Sequence, residues 1–356
     1  MTKLRILLSQ RFPALASRDF AIFWVGHLFS LIGTSMQNTA LPLLAYRISG
    51  RPFDLGLIGF ATTLPTFFLA LPGGVLIEHV DKRKAIIFLQ IVMMLDTFVL
   101  AFLALSGVIQ IWQIVVTSLI LGTASAFEIT ARQAMLIELT GREALPNAIA
   151  LQSTAFNLSR VLGPALVAPI LFLSSSNGEG WIFLLNGISY AAIIIGLFFV
   201  HAKYKAPVSP RTRSIMEEFR EGTQFLIKNS SVGLLIVIAA TIGILAMPIT
   251  QQLPVVSKDL LGKIGDTKSV VDLRNSLLYT AQGVGALTAA FHCDEQYRAL
   301  ARTSPNPWRG GFHPWNDRDP ILAFVMAYAD HHCIDGLGRG HTTRHNEHVD
   351  PIASAR

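Results

Sequence analysis

The sequence is poor in charged residues and in cysteine. Of its 356 residues only 15% are charged and 51% are hydrophobic, whereas soluble domains carry about 25% charged residues. The two cysteines, Cys293 and Cys333, are too few for a disulfide framework. The motif G-x-x-x-x-G-K-[ST] does not occur, so this sequence contains no P-loop for ATP. The scarcity of charge indicates a chain that lies mostly in a membrane.

Long apolar runs fill the chain before residue 292 and identify a polytopic membrane protein. A helix needs about 20 apolar residues to cross the hydrocarbon layer. Eight spans are predicted, at 20–46, 54–77, 85–106, 109–130, 147–173, 180–200, 230–254 and 273–291. We expect no cleavable signal peptide, because residues 17–20 lead directly into a full-length span.

Basic residues alternate from one side of the predicted spans to the other. The N-terminus, the 78–84 loop, the 131–146 segment and the 201–229 loop together hold fifteen Lys and Arg, against six in the opposite loops. Because basic loops stay on the cytoplasmic side, we expect a cytoplasmic N-terminus in an inner or plasma membrane. Orientation also explains the formal charge of +6, so no nucleic-acid partner is expected.

The order of spans predicts a domain organisation. Residues 1–200 form a six-helix transmembrane bundle, and residues 201–229 form a cytoplasmic linker that ends in an amphipathic surface helix. Residues 230–291 supply two further spans. Transporters built from two six-helix repeats have this layout. The predicted fold class is therefore all-α, with a six-helix N-terminal bundle and a partial C-terminal bundle.

The tail, residues 292–356, differs in composition from the rest of the chain. It holds seven of the ten histidines and both cysteines, but none of the nine lysines. Its best apolar run, 321–329, is too short to span a membrane. We expect a disordered or out-of-frame extension. His331, His332 and Cys333 imitate a metal site, but no Cys-x-x-Cys pair accompanies them, so no metal and no cofactor are predicted.

The stretch 73–84, GGVLIEHVDKRK, concentrates charge between two apolar runs. It resembles the G-x-L-x-D-x-x-x-R-[RK] motif of the major facilitator superfamily, in which this loop acts as a latch between conformations. The resemblance implies a latch made by Gly74, Glu78, Asp81, Lys82, Arg83 and Lys84. A plain anchor on the anionic inner leaflet is the alternative, and it would need only the three basic residues.

Two further stretches resemble one branch of that superfamily, which contains enterobactin exporters and macrolide-efflux proteins. They are FEITARQAML with EALPNA, at 127–136 and 143–148, and NLSRVLGPAL at 157–166. The resemblance covers residues 18–290. It implies an exporter in which Gly163 and Pro164 bend span five and shape a seal between helices. An ordinary proline kink is the alternative, since proline removes a hydrogen bond from any helix.

Ionisable residues inside the predicted spans are the candidates for proton coupling. A charge at the bilayer centre costs at least about 2.5–3.5 kcal/mol on insertion scales, so it usually faces a cavity or a partner. Asp96, Glu128 and Arg160 occupy such positions, and a static ion pair is the alternative for each. Many relatives carry aspartate after the span-one glycine, whereas Gly33 is followed here by Thr34, which weakens the case for coupling.

Polar residues on otherwise apolar helices are predicted to line a substrate cavity. They are Gln37, Asn38, Asn157 and Asn186. Aromatic side chains nearby in the spans would suit a large amphipathic ligand, namely Phe67, Phe68, Phe127 and Phe156. Simple packing is the alternative for all of them. His27 is expected to be packed and hydrogen-bonded.

The predicted function is proton-coupled export of a small amphipathic molecule, of the drug, macrolide or siderophore class, by a membrane transporter that is not an enzyme. Its partners are the lipid bilayer, the substrate and protons. Because alternating access needs both repeats, we expect the chain with two spans in its second half to be inactive by itself. A non-transporting membrane binding or scaffold protein, or a degraded gene product, is the alternative.

Overall fold

The computed structural model describes residues 12–78, 80–174, 177–200 and 250–303, together with Gln224 and Leu234. Side chains are described up to Thr288, except several between 67 and 78. Within these ranges the long helices are α1 (Arg18–Ser49), α2 (Pro52–Glu78), α3 (Lys82–Leu105), α4 (Ile111–Leu173), α5 (Gly178–Phe198) and α6 (Lys268–Thr303). A 3-10 turn, Pro13–Ala16, precedes α1, and the short turns Leu253–Val255 and Val256–Leu260 precede α6. The predicted all-α class is confirmed.

The ends of the helices follow from local residue chemistry. Asp81 caps α3, because its Oδ1 accepts a hydrogen bond from the backbone N–H of Lys84 at 3.1 Å, a donor that lacks a partner within the helix. Helix α1 ends at Gly50, whose φ of 63° is left-handed and is tolerated by glycine because it has no Cβ. Pro52 then starts α2 in the first helical position, where its missing N–H costs nothing.

Helix α4 combines two predicted spans in 63 residues. A straight helix of that length would extend about 95 Å, roughly three times the hydrocarbon thickness. Gly141 interrupts it with φ 71° and ψ 174°, a conformation that L side chains rarely adopt. Each part is long enough to cross once. The predicted 131–146 connection is therefore helical on both sides of a break at one glycine.

Several polar residues are buried in the bundle, and many large apolar residues lie on its outer surface. Gln37, Thr97 and Asn186 are at most 1% exposed, whereas Phe88 and Phe102 are 65% and 69% exposed. The outer surface is therefore more apolar than that of a soluble protein, as a hydrocarbon solvent favours. Four of the described helices, α1, α3, α4 and α5, are long and apolar enough to cross a membrane.

The bundle is assembled by close helix pairs. Helix α2 packs on α4, α3 and α1 pack on α4 and α5, and α6 packs on α4. Small residues permit these approaches: a Cβ on Gly122 of α4 would lie 2.2 Å from the carbonyl oxygen of Thr62 on α2. Such contacts replace the hydrophobic effect, which does not drive helix association in lipid.

Polar contacts between helices distinguish the two ends of the bundle. At one end, called here the latch end, Lys82 lies near Glu138 and Arg83 near the last carbonyl of α5. At the other, called here the far end, Asn177 donates a hydrogen bond to the carbonyl of Leu105 at 2.8 Å. The loops 78–81 and 106–110 therefore lie at opposite ends, as the predicted alternation requires.

Three sequence predictions fall partly outside the described residues. The linker 201–229 is described only at Gln224, and the span 230–254 only at Leu234 and from Thr250 onward. Helix α6 continues to Thr303, beyond the predicted span end at residue 291. Residues 304–356, the greater part of the predicted tail, are outside the described residues.

Candidate functional site

A cluster of three buried polar side chains, called here the central cluster, joins α1, α3 and α5. The Nδ2 of Asn186 donates to the Oε1 of Gln37 at 2.7 Å. The hydroxyl of Thr97 lies 3.4 Å from the same oxygen. Gly33 leaves room for the cluster, because a Cβ there would lie 2.6 Å from the Oδ1 of Asn186. Two of the four predicted cavity residues are thus brought together.

Asp96 lies beside the central cluster, one residue before Thr97. It is 8% exposed, and its Oδ2 has no hydrogen-bond partner among the described residues. Buried polar atoms are normally paired, and each exception needs an explanation. Asp96 therefore leaves one carboxylate oxygen unpartnered inside a membrane bundle.

Thr34 occupies the position where many major facilitator relatives carry aspartate. Its hydroxyl lies 3.1 Å from that of Tyr190 on α5, and Tyr190 is 2% exposed. The contact links α1 and α5 through two neutral groups. An acid is therefore absent from this position.

A second buried network, called here the Arg132 network, lies closer to the latch end. The Nε of Arg132 is 3.3 Å from the Oε1 of Glu128, and the Nε2 of Gln90 donates to the same oxygen at 3.4 Å. The guanidinium also donates to the Nε2 of His27, whose ring stacks on Phe23 with 5.6 Å between centroids. His27 is therefore packed and hydrogen-bonded, as expected.

Sequence reasoning identified Glu128 but missed Arg132 as its partner. The signal was present, because the two residues are four positions apart and so share one face of a helix. The span pattern places Arg132 in a cytoplasmic connection, whereas helix α4 continues past it. The helix brings its charge within reach of α1 and α3.

The predicted latch residues connect three helices. Besides the cap made by Asp81, the Nζ of Lys82 lies 3.6 Å from the Oε1 of Glu138 on α4. The Nη2 of Arg83 donates to the carbonyl of Phe198 at 3.0 Å, which is a free carbonyl at the end of α5. Lys84 is exposed, a Cβ on Gly74 would meet no atom within 4 Å, and the side chain of Glu78 is outside the described residues.

Gly163 and Pro164 lie where α4 touches both α1 and α6. A Cβ on Gly163 would be 2.5 Å from the Cβ of Ser35. Pro164 has no N–H, so the carbonyl of Arg160 four residues earlier loses its helical hydrogen bond. Gly283 of α6 lies against that carbonyl, since its Cβ would be 2.4 Å from the oxygen. The pair of residues therefore sits at a close contact between the two halves of the chain.

The remaining predicted residues are not brought into a common site. The guanidinium of Arg160 lies 5.9 Å from the ring centroid of Phe156, and among the described side chains no carboxylate pairs with it. Asn38 is exposed, and Asn157 donates to Ser153 of its own helix at 2.9 Å. In the described part of the chain no group of three or more His, Cys, Asp or Glu could hold a metal ion.

The loop before α6 is ordered by Asp266. Its Oδ2 accepts from the backbone N–H of Lys263 at 2.9 Å and from the guanidinium of Arg274 at 2.9 Å. These two hydrogen bonds hold the pKa of Asp266 below its usual range. The side chain of Asp266 thus fixes the loop to the N-terminal part of α6.

The sequence profile of one protein family, described as transmembrane secretion effector, matches residues 9–302. The chain belongs to this family. The match includes all six described helices except the last residue of α6, and it extends past the range 18–290 over which the resemblance was seen. With its apolar helices, a member of this family is a multi-pass membrane protein, and the major facilitator prediction is confirmed.

Curated relatives match parts of this chain. The uncharacterised MFS-type transporter YfiS of Bacillus subtilis strain 168 is 25% identical over 189 residues, covering 52% of this chain and 43% of the relative. Macrolide efflux protein A of Streptococcus pyogenes is 22% identical over 240 residues, covering 67% of this chain and 59% of the relative. This chain therefore spans about half the length of the curated relatives it matches.

A solved structure shows the same fold. A bacterial homolog of the human lysosomal transporter Spinster, crystallised in an inward-facing and occupied conformation, superposes with a TM-score of 0.51. It is 15% identical, and the match covers 90% of this chain and 73% of that chain. At this identity the likeness concerns the fold alone.

Proposed function

We propose that this chain is a membrane transporter of the major facilitator type for export of a small amphipathic molecule, and that export requires a complete second half. The observation that carries the proposal is the central cluster with Asp96, since polar and ionisable residues inside a membrane bundle mark substrate or ion pathways. Family membership and the similarity to a macrolide efflux protein support the direction of transport and the class of substrate. The proposed role is transport rather than catalysis.

The proposed orientation places the latch end, with the N-terminus, in the cytoplasm of an inner or plasma membrane. The sequence supports this with its excess of basic residues at that end. The structure supports it indirectly, because Lys82 and Arg83 lie together with Glu138 at one end of the bundle.

The contacts of the latch loop are weak enough to break and re-form during transport. The Lys82–Glu138 pair is 3.6 Å long and both side chains are partly exposed, so it contributes about 0–1 kcal/mol. The bond from Arg83 uses a carbonyl that has no partner within α5. Weak contacts between helices can be exchanged without a large barrier, which supports the proposed latch role of Lys82 and Arg83. The same role for Gly74, Glu78, Asp81 and Lys84 rests on the loop motif alone.

We propose that Asp96 is the proton-binding residue and that Glu128 is structural. A proton on the unpartnered Oδ2 of Asp96 would create a donor next to the central cluster, where substrate binding can sense it. Glu128 already accepts from Gln90 and pairs with Arg132. Arg160 is the weakest of the three predicted coupling candidates, since no described carboxylate pairs with it.

The experiment that tests this function is an accumulation assay with a radiolabelled macrolide in cells that lack their own exporters. Because the chain spans about half the length of its relatives, it is expressed alone and also fused to the C-terminal half of the macrolide efflux relative. We expect the fusion to lower accumulation below that of cells with empty vector, and collapse of the proton gradient to remove the effect. The chain alone is expected to match the vector.

The proton-binding role is tested in the same fusion by Asp96→Asn. This variant should abolish the proton-dependent export, while Glu143→Gln, which changes an exposed carboxylate on α4, should retain it. Equal export by both variants would exclude Asp96. Macrolide binding to the purified chain without export by either form would favour the alternative, a non-transporting binding protein.

A further inference from the structure

Three charged side chains from three helices converge at the far end of the bundle. Arg47 lies in the last turn of α1, Glu179 in the first turn of α5 and Asp272 in the second turn of α6. The Nη1 of Arg47 pairs with the Oε1 of Glu179 and its Nη2 with the Oδ1 of Asp272. Both carboxylates are 4% exposed and Arg47 is 22% exposed. One guanidinium therefore bridges two nearly buried acids.

We propose that Arg47, Glu179 and Asp272 form a charge lock between the two halves of the chain, which must open for substrate to pass through the far end. Arg47 and Glu179 belong to the first six spans, whereas Asp272 belongs to the segment after the linker. The lock itself is independent of the proposed export function, and only its role in transport rests on that function.

The geometry indicates which member of the lock moves. The last turn of α1 favours a cation and the first turn of α5 favours an anion, because the helix dipole places negative and positive partial charge there. Arg47 and Glu179 are thus each stabilised by their own helix as well as by one another. Asp272 lies past the first turn of α6 and is the partner that separates when the halves part.

Arginine is required because both acids are bound by one side chain. A guanidinium presents its terminal nitrogens as a rigid planar fork, whereas the ammonium of lysine is a compact point charge. The fork lets Arg47 hold acids from two helices at once. Removing it would leave two buried carboxylates close together and unpaired, a costly arrangement that separation of the halves relieves.

Further contacts join the two halves beside the lock. The hydroxyl of Tyr46 donates to the Oδ2 of Asp259, and the Nζ of Lys258 lies 5.1 Å from the centroid of the Tyr46 ring. The Nε2 of Gln252 donates to the carbonyl of Pro52 at 3.1 Å. The C-terminal end of α1 and the N-terminal end of α2 are thus bound to the second half by several contacts. Of these contacts, the charge lock is the most buried.

Other charged groups near the lock are carried by the second half. Burial, together with the cationic charge of Arg47, lowers the pKa of Lys268 at the start of α6. Arg274 is directed to Asp266 at 2.9 Å and to the carbonyl of Ser257 at 2.8 Å. Arg274 therefore does not replace Arg47 as the partner of Asp272.

The lock is tested by the accessibility of a thiol placed behind it. Asn275 lies one turn after Asp272 and is 0% exposed, and its amide forms no hydrogen bond within the described residues, so Asn275→Cys loses no pairing. The substitution is made in the full chain with Cys293→Ser and Cys333→Ser. A membrane-impermeant maleimide is applied from the side of the far end, and the labelling rate is measured.

We expect Arg47→Gln to raise the labelling rate about tenfold or more, the change that a shift of roughly 1.4 kcal/mol in the closed–open equilibrium produces. Asp272→Asn should raise it as well, while keeping the Arg47–Glu179 pair inside the first half. Arg51→Gln is the matched control, because it removes an exposed arginine four residues away, and it should leave the rate unchanged.

Equal labelling rates in Arg47→Gln, Asp272→Asn and Arg51→Gln would overturn the proposal. Elution of each variant as a single species in detergent separates opening from misfolding, and Asp272→Asn keeps the test available if Arg47→Gln does not fold. Because labelling needs no transported substrate, failure of the export assay leaves this result unaffected, and the two proposals can fail separately.

Discussion

At the scale of single residues, buried polar side chains carry both the stability and the proposed function of this protein. Glu128 is 6% exposed, accepts a hydrogen bond from Gln90 and forms an ion pair with Arg132. Asp96 is similarly buried but has an unpartnered oxygen. A buried carboxylate is thus satisfied in one place and left available in the other, which separates a structural acid from a candidate functional one.

Arg132→Gln is expected to lower the free energy of unfolding by about 3–5 kcal/mol, because it leaves the buried charge of Glu128 without its partner. Thermal unfolding of the purified chain in detergent measures this. Arg142→Gln, an exposed arginine on the same helix, serves as the control and should change stability little. An equal loss in both variants would show that Glu128 does not depend on Arg132.

Arg83→Ala should destabilise the latch end by about 1 kcal/mol, the usual net value of one hydrogen bond, because the carbonyl of Phe198 loses its donor. The neighbouring variant Lys84→Ala removes an exposed side chain and leaves the cap on Asp81 intact, since the cap uses the backbone N–H of Lys84. Thermal unfolding of both variants provides the comparison. If Lys84→Ala lowered the free energy of unfolding as much as Arg83→Ala, the effect of Arg83 would come from its charge and not from its hydrogen bond to the carbonyl of Phe198.

At the scale of helices, glycines decide which elements can approach one another. Gly283 and Gly285 lie two residues apart on α6 in the same stretch of sequence. Only Gly283 lies against α4, at the carbonyl that Pro164 leaves without a helical partner. Through this contact the second half of the chain packs on the first half beside the predicted seal residues Gly163 and Pro164.

Gly283→Ala is therefore expected to destabilise the packing of α6 on α4 by about 1–3 kcal/mol, the usual cost of overpacking. Its Cβ would lie 2.4 Å from the carbonyl oxygen of Arg160, which belongs to backbone and cannot move aside easily. Gly285→Ala is the matched control, since a Cβ there meets no atom within 4 Å. Thermal stability in detergent should fall for the first variant only, and a reversed order would refute the contact.

At the scale of the whole molecule, the charged contacts define two ends and the apolar surface defines the membrane between them. The latch end holds Lys82, Arg83 and Glu138, and the far end holds Arg47 and Glu179. Which of them faces the cytoplasm follows from the distribution of basic residues and is a proposal about orientation.

Reporter fusions test that orientation for the whole bundle at once. We expect cytoplasmic signals from fusions after residues at the latch end or in the linker, and outside signals from fusions after residues at the far end. The cytoplasmic set is Arg83, Arg142 and Arg213, and the outside set is Gly107, Asn177 and Lys263. One reporter on the wrong side among the first five positions along the chain would invert every later loop and contradict the span count.

The sequence by itself determined the class of the protein, because hydropathy and charge are local properties. A run of about 20 apolar residues predicts a span regardless of its neighbours, and the loop motif and the Gly163–Pro164 stretch identified the superfamily. The buried position of Gln37 and Asn186 could also be predicted, since polar residues in apolar helices avoid lipid. Asn38 is exposed, and its place in a cavity stays a prediction, because the rule does not say which face of a helix is covered.

Only the tertiary structure decided which residues meet. Gln37 and Asn186 are 149 positions apart, Arg132 and His27 are 105 apart, and Arg47 joins acids from two other helices. No local pattern fixes such pairs, because they depend on how whole helices cross and on where glycine permits close approach. The first predicted span ends at residue 46, so the sequence places Arg47 in a loop with other basic residues. Its neighbours in space make it the bridge between the two halves.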